Sequence, residues 1–197
     1  PRRRSTIRPV SPTPLVFDHY TQAALDVEYD NRAKVPAFQT FLDRFRDDSV
    51  AVRDDWGDRA RLDVPVGASA IETVDVFPVP TERVGSDGSG RGGTPVMVFI
   101  HGGYWLLLEK SSFSFVARGL AAHGIATVVI NYAKIPQVRM AEIVRQCRQA
   151  VAWTCVNARS FGGDPARVAV SGFSAGGHLA AMVGAEGWQP GRPLVAG

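Results

Sequence analysis

The chain has 197 residues, of which 45% are hydrophobic and 21% charged, and this balance predicts a single globular domain with a buried core. Its formal net charge of +3 derives from arginines near the N-terminus, so we expect a flexible basic tail over residues 1–15 rather than a surface for nucleic acid or membrane. No segment approaches the roughly 20 apolar residues of a transmembrane helix, and the tail lacks the apolar run of a secretory signal.

The two cysteines indicate a reducing environment. Cys147 and Cys155 lie in one helical pattern, which separates them by about 12 Å at roughly 1.5 Å per residue, too far for a disulfide. Unpaired thiols that fill a core are typical of reducing compartments. We therefore expect a cytoplasmic protein.

Residues 16–65 predict helices and connecting loops, with no strand. An amphipathic helix is indicated by apolar residues at the spacing i, i+3, i+4, i+7 with charged residues between them: Phe38, Phe41, Leu42 and Phe45. This aromatic stripe is expected to pack on the core or, alternatively, to cover a pocket. We assign residues 16–65 as an N-terminal helical segment and a candidate lid.

Residues 66–197 are predicted to form the N-terminal portion of the core domain. Residues 70–78 alternate as a strand does, and the glycine-rich run at 85–93 is expected to be a flexible surface turn. Strands and helices then alternate along the chain. The predicted strands are 95–100, 125–130 and 167–171, and the predicted helices are 111–123 and 138–159. This alternation predicts an α/β fold with a mostly parallel sheet and helices on both faces.

The segment Gly172-Phe173-Ser174-Ala175-Gly176 fits the pattern G-x-S-x-G and predicts a nucleophile. It follows an apolar strand and precedes an Ala/Gly-rich helix, which is the strand–turn–helix context of a nucleophile elbow. The outer glycines are required because side chains there would collide with neighbouring backbone. We expect Ser174 to attack a substrate carbonyl, with the Ala175 N–H stabilising the oxyanion.

A second motif, His101-Gly102-Gly103-Tyr104-Trp105, follows another predicted strand. A glycine-rich loop can aim backbone N–H groups at developing negative charge without interference from side chains, so Gly102 and Gly103 are the other predicted oxyanion-hole donors. Both motifs lie at the carboxyl end of a strand, where α/β sheets place their sites. We expect His101 to hold the shape of the loop and not to act as a base.

Together the two motifs resemble the hormone-sensitive-lipase branch of the α/β hydrolases, and HGGYW combined with GFSAGGH is similar to the kynurenine formamidases (arylformamidases). Residues 29–33, and Asn131-Tyr132 followed by Pro136, add to the resemblance. It implies an α/β-hydrolase fold and hydrolysis of N-formyl-L-kynurenine to formate and kynurenine in tryptophan breakdown. It also implies that Tyr104 and Trp105 lie beside the aromatic substrate.

The residues that would complete a catalytic triad are missing from the sequence pattern. A serine nucleophile needs a base and a carboxylate, which in this fold follow the serine along the chain. The only histidine after Ser174 is His178, one helical turn on, which is expected to be structural. We expect a sheet that is incomplete at its C-terminal edge, with the catalytic Asp and His in a missing C-terminal segment or a second polypeptide, or another copy of the chain covering the edge.

These patterns predict a serine hydrolase that cleaves a formamide or ester bond through an acyl-enzyme on Ser174. N-formyl-L-kynurenine is the expected substrate; a broad carboxylesterase for short acyl or aryl esters and a non-catalytic binding module are the alternatives. The expected partners are a small-molecule aryl formamide or ester, and either a homo-oligomer or the missing C-terminal segment, but no nucleic acid and no membrane. No metal or cofactor is expected, because no His/Cys/Asp cluster has ligand spacing.

Overall fold

The computed structural model describes residues 13–80 and 93–185. The chain divides into two compact units, residues 1–42 and 43–197. Most of the predicted basic tail and of the predicted glycine-rich turn lies outside the described residues, as does the end of the chain.

The first unit contains a short hairpin followed by a helix. Strands β1 (Leu15–Phe17) and β2 (Tyr20–Thr21) pair antiparallel, and helix α1 (Gln22–Tyr29) follows directly. Thr21 caps this helix, because its side-chain oxygen accepts a backbone N–H of the first turn at 3.3 Å. Helix α2 (Phe38–Trp56) contains the boundary between the two units.

The expectation of helices without strands over residues 16–65 is wrong in part. Besides β1 and β2, the segment Arg61–Pro65 forms strand β3 of the second unit. β1 and β2 have three and two residues, which is too short for a visible alternation. β3 is exposed at four of its five positions and therefore lacks the apolar face by which a strand is recognised.

The second unit is built on a five-stranded sheet in the order β3-β4-β6-β5-β7. Besides β3 its strands are β4 (Thr73–Phe77), β5 (Thr94–Ile100), β6 (Ala126–Ile130) and β7 (Gly163–Gly172). β5 pairs parallel with β6 and with β7, whereas β4 runs antiparallel to β3 and β6. Four strands therefore point the same way, which confirms the predicted mostly parallel sheet. Among the described residues, β7 is an edge strand.

Helices cover both faces of this sheet, as predicted. Helices α4 (Met140–Asn157) and α5 (Ala175–Ala185) contribute to the larger of two core clusters. Helices α2 and α3 (Val116–Ala121) contribute to the smaller one. Val128 belongs to the larger cluster and its neighbour Val129 to the smaller, so the clusters lie on opposite faces, since successive strand residues point to opposite sides.

The helix predicted over residues 111–123 is shorter in the structure. It begins as a 3-10 turn, Lys110–Phe113, and becomes α-helical only in α3. Serines in this stretch compete for backbone hydrogen bonds and weaken a helix start. Gly124 ends the helix as predicted, with a φ of 70°. Of the helices in the described part of the chain, none has both the length and the hydrophobicity of a membrane span.

Candidate active site

The serine of the G-x-S-x-G motif lies in a tight turn between β7 and α5. Ser174 has a φ of 54°, a left-handed conformation that is uncommon for a residue with a side chain. Its carbonyl oxygen accepts the N–H groups of Gly177 at 2.9 Å and His178 at 3.2 Å, which fixes the turn to the first turn of the helix. The side chain of Ser174 is exposed. The predicted strand–turn–helix context is confirmed.

The two outer glycines of the motif are required by backbone contacts. A Cβ on Gly172 would lie 2.2 Å from the carbonyl oxygen of Gly176, and a Cβ on Gly176 would lie 2.0 Å from that of Ile100. Neither clash can be relieved by turning a side chain. Gly172 and Ile100 are register partners at the ends of β7 and β5, so the turn sits directly against the end of the neighbouring strand.

The HGG loop, residues 101–109, follows β5 and lies against the serine turn. A Cβ on Gly102 would be 3.2 Å from the Ser174 Cβ and 2.8 Å from the Phe173 carbonyl oxygen. Only a glycine therefore allows this approach. Gly103 has a φ of 118° and its added Cβ would lie 2.1 Å from the Leu107 carbonyl oxygen. The structure thus brings Gly102 beside Ser174, as an oxyanion hole requires.

The start of α5 supplies the third predicted donor. The N–H groups of Gly176, Gly177 and His178 donate to carbonyl oxygens within the turn. The Ala175 N–H, the first of the helix, has no backbone acceptor in the part of the chain that the structure describes. It is buried next to Ser174, at the positive end of the helix dipole.

His101 is fully buried and structural in its contacts. Nδ1 lies 2.7 Å from the Gly102 carbonyl oxygen, Nε2 lies 3.2 Å from the Asn131 amide oxygen, and the ring stacks on Tyr132 at 4.2 Å. Burial lowers the pKa of His101 to about 4, so the ring is neutral near pH 7. A carbonyl oxygen can only accept, so the neutral ring donates from Nδ1 to Gly102.

The two aromatic residues of the HGGYW motif have different surroundings. Tyr104 is 40% exposed. Trp105 is half-buried and packs against the larger core cluster, and its ring meets the His178 ring edge-on with centroids 5.3 Å apart. His178 therefore supports the loop through Trp105. Contact of Tyr104 and Trp105 with a substrate stays a prediction.

An aromatic group next to the serine was not predicted as part of the site. Phe173, 50% exposed, lies with its ring centroid 6.2 Å from Phe45 of α2 and 6.2 Å from Phe113. Phe45 belongs to the predicted aromatic stripe of α2, and it also stacks on Phe115 at 4.9 Å. The signal in the sequence was the phenylalanine inside G-x-S-x-G itself.

We next consider the histidines of the described residues as possible bases for Ser174. In the described part of the chain, no histidine ring forms a hydrogen bond with the Ser174 hydroxyl. Residues 13–80 and 93–185 also hold no group of three or more His, Cys, Asp or Glu side chains placed to bind a metal ion.

Comparisons with known proteins agree with this geometry. The sequence profile of the BD-FAE family matches residues 86–189. The chain is 37% identical over 87 residues to isoprenylcysteine α-carbonyl methylesterase of Arabidopsis thaliana, covering 44% of this chain and 20% of that protein. It is 32% identical over 127 residues to kynurenine formamidase of Danio rerio, covering 64% of this chain and 39% of that protein.

A solved structure supports the fold. The chain resembles a protein provisionally described as a thioesterase, from Silicibacter sp. TM1040, with a TM-score of 0.65, 33% identity and coverage of 80% of this chain and 54% of that one. This likeness, with the strand order of the sheet, confirms the predicted α/β-hydrolase fold. The matched part of the chain spans 20% and 39% of the two curated relatives.

Proposed function

Because the chain belongs to the BD-FAE family of α/β hydrolases, in the hormone-sensitive-lipase branch, we propose that it is a serine hydrolase acting on an ester or formamide bond. The observation that carries this proposal is the contact between Gly102 and Ser174: a Cβ on the glycine would lie 3.2 Å from that of the serine. An exposed hydroxyl in a strained turn thereby stands next to a glycine-rich loop and a helix N-terminus. This is the arrangement that acyl transfer needs.

In the proposed reaction, Ser174 Oγ attacks the carbonyl carbon of the substrate, and a base from outside the described residues takes its proton. The negative charge that forms on the carbonyl oxygen is stabilised by N–H groups of Gly102, Gly103 and Ala175, each contributing about 3–4 kcal/mol by analogy with other enzymes. Collapse of the intermediate expels the protonated alcohol or amine and leaves an acyl-enzyme. Water then attacks the acyl carbon and releases the acid.

For the substrate, we propose an aryl formamide, with N-formyl-L-kynurenine as the specific candidate. The likeness to kynurenine formamidase of Danio rerio and the aromatic side chains near Ser174 favour it. Esters of short acyl groups are the second candidate, favoured by the likeness to the methylesterase of Arabidopsis thaliana. A non-catalytic binding module would keep the same turn and loop but lack the base.

Labelling with a fluorophosphonate probe tests the catalytic proposal in the complete gene product. We expect the wild-type protein to be labelled and to hydrolyse p-nitrophenyl acetate, and Ser174→Ala to do neither, because the variant lacks the attacking oxygen. A wild-type protein that resists the probe would instead support the binding module. Rates for N-formyl-kynurenine against p-nitrophenyl acetate and butyrate test the substrate. If an ester is preferred, the formamidase proposal fails and the hydrolase proposal stands.

A further inference from the structure

The HGG loop has a backbone that its residues would not adopt unaided. Besides Gly103, three residues with side chains have positive φ: Tyr104 at 54°, Trp105 at 60° and Leu108 at 66°. Such conformations are unfavourable for residues with a Cβ and persist only where the surrounding structure imposes them. The position of the Gly102 and Gly103 N–H groups therefore depends on contacts with the surrounding structure. In the middle of the loop the Trp105 carbonyl oxygen accepts the Ile135 N–H at 2.9 Å, and further contacts hold the two ends.

The N-terminal end of the loop is held by His101 and its neighbours. The Tyr132 hydroxyl donates to the His101 carbonyl oxygen at 2.8 Å, and the His101 ring bonds to Gly102 and Asn131. Asn131 and Tyr132 follow β6, the strand that pairs with the one the loop leaves.

The C-terminal end is held by a buried charged group on a different strand. Lys110, the first residue after the loop, places its Nζ 2.6 Å from Asp75 Oδ1 and 2.5 Å from Asp63 Oδ1. The Lys110 side chain is 5% exposed and that of Asp75, in the middle of β4, is 0% exposed. Asp75 Oδ1 also accepts the Asp63 N–H at 2.8 Å, and Asp75 Oδ2 accepts from Arg53 at 2.5 Å.

The burial of the Lys110–Asp75 ion pair indicates that it fixes geometry rather than adding stability. Removing a lysine and an aspartate from water is costly, and an apolar pair of similar size commonly gives equal or greater stability. An ion pair with several hydrogen bonds does, however, fix a distance and a direction. Here it ties the end of the loop to β4, and Arg53, whose Nε donates to Ser114 Oγ at 2.9 Å, ties the same aspartate to α2.

We propose that Lys110 and Asp75 are positioning residues for the oxyanion hole: their buried ion pair sets the strained HGG loop so that Gly102 and Gly103 present their N–H groups beside Ser174. This inference rests on the proposed hydrolase function. It adds two residues with no substrate contact, one of them separated from the loop by more than 25 residues in sequence, to the requirements of the reaction.

The test compares Lys110→Met with a matched control in the complete gene product. Glu72→Gln removes a charge from a different ion pair, that of the buried Glu72 with the half-exposed Arg145 at 2.9 Å, and neither residue belongs to the loop. For Lys110→Met we expect kcat to fall about 10- to 100-fold with a smaller change in KM, since a misplacement near 1 Å has effects of that size. Affinity for a trifluoromethyl ketone, which forms a tetrahedral adduct with the serine, should fall by the same factor as kcat/KM. Glu72→Gln should leave both unchanged.

The double variant Asp75→Asn/Lys110→Met separates positioning from stability. The amide at position 75 can still accept from Arg53 or from the Asp63 N–H, and it places no buried charge against the apolar side chain at position 110, so the Tm should recover towards that of the wild type while kcat stays low. Recovery of kcat together with Tm would overturn the inference, as would a Lys110→Met protein with unchanged kcat and ketone affinity. A wild-type protein without hydrolytic activity would overturn the proposed function as well, so the two failures are distinguishable.

Discussion

The turn at Ser174 and the HGG loop both hold backbone conformations that side chains disfavour, but they are held differently. The turn is fixed by its own glycines and by backbone contacts with the end of β5. The loop is fixed at its two ends by side chains from elsewhere, namely Tyr132 and Asn131 at one end and Asp75 at the other. Strain can therefore be supported by local sterics or by distant packing. The residues that support the turn lie within its own short motif, whereas Tyr132, Asn131 and Asp75 lie outside the HGGYW motif of the loop.

The largest effect is expected from a substitution that disrupts the glycine contacts of the serine turn. Gly176→Ala places a Cβ 2.0 Å from the Ile100 carbonyl oxygen, a backbone atom that cannot turn away. We expect the free energy of unfolding to fall by about 3 kcal/mol or more and activity to fall by about 100-fold or more. Urea denaturation and esterase assays measure both.

The matched control for that substitution is in the same helix. Gly184→Ala meets open space, with no atom within 4 Å of the added Cβ. We expect it to stabilise the protein by about 0.5–1 kcal/mol, because alanine is the better helix former. A similar loss of stability in both variants would contradict the steric account of the turn.

The pH dependence of protein stability tests the contacts of His101, which hold the N-terminal end of the HGG loop. His101 has a pKa of about 4 in the folded protein, lowered from 6.5 by burial, so the unfolded chain takes up a proton below about pH 6.5 while the folded chain does so only near pH 4. Stability therefore falls as the pH drops through this window, by about 3 kcal/mol for this group. In His101→Gln this part of the pH dependence should be missing. Urea midpoints at several pH values measure it, and identical slopes in the two proteins would refute the assignment.

The smallest effect on activity is expected from Phe173, the aromatic residue between the serine turn and the HGG loop. Phe173→Ala removes an exposed ring beside Gly102 and Ser174, so kcat/KM for N-formyl-kynurenine should fall about 10-fold while that for methyl butyrate, which has no aromatic group, changes less. Val156→Ala, at a side chain that is 71% exposed on α4, serves as the control. Equal losses for the aromatic and the non-aromatic substrate would show that the ring does not select aryl groups.

The parts of the fold that could be predicted from the sequence are those with an uninterrupted pattern of apolar residues. The apolar runs of β5 and β6 and the long helix α4 were located to within one or two residues. β3 was missed because its exposed positions carry Arg61 and Asp63, and charges in a strand resemble a loop. Long-range pairs were also missed: nothing near Lys110 indicates that its partner is Asp75, since such pairing follows from the order of strands in the sheet.

The hydrogen-bond ladder between β5 and β7 makes the active site sensitive to insertions in either strand. Ile100 and Gly172 form the last rung before the HGG loop and the serine turn. Insertion of one residue into either strand would shift the hydroxyl relative to the amide donors by about 3.3 Å, the rise of one strand residue, and would reverse the side on which the following segment emerges. The lengths of these two strands thus determine reactivity as much as the serine does.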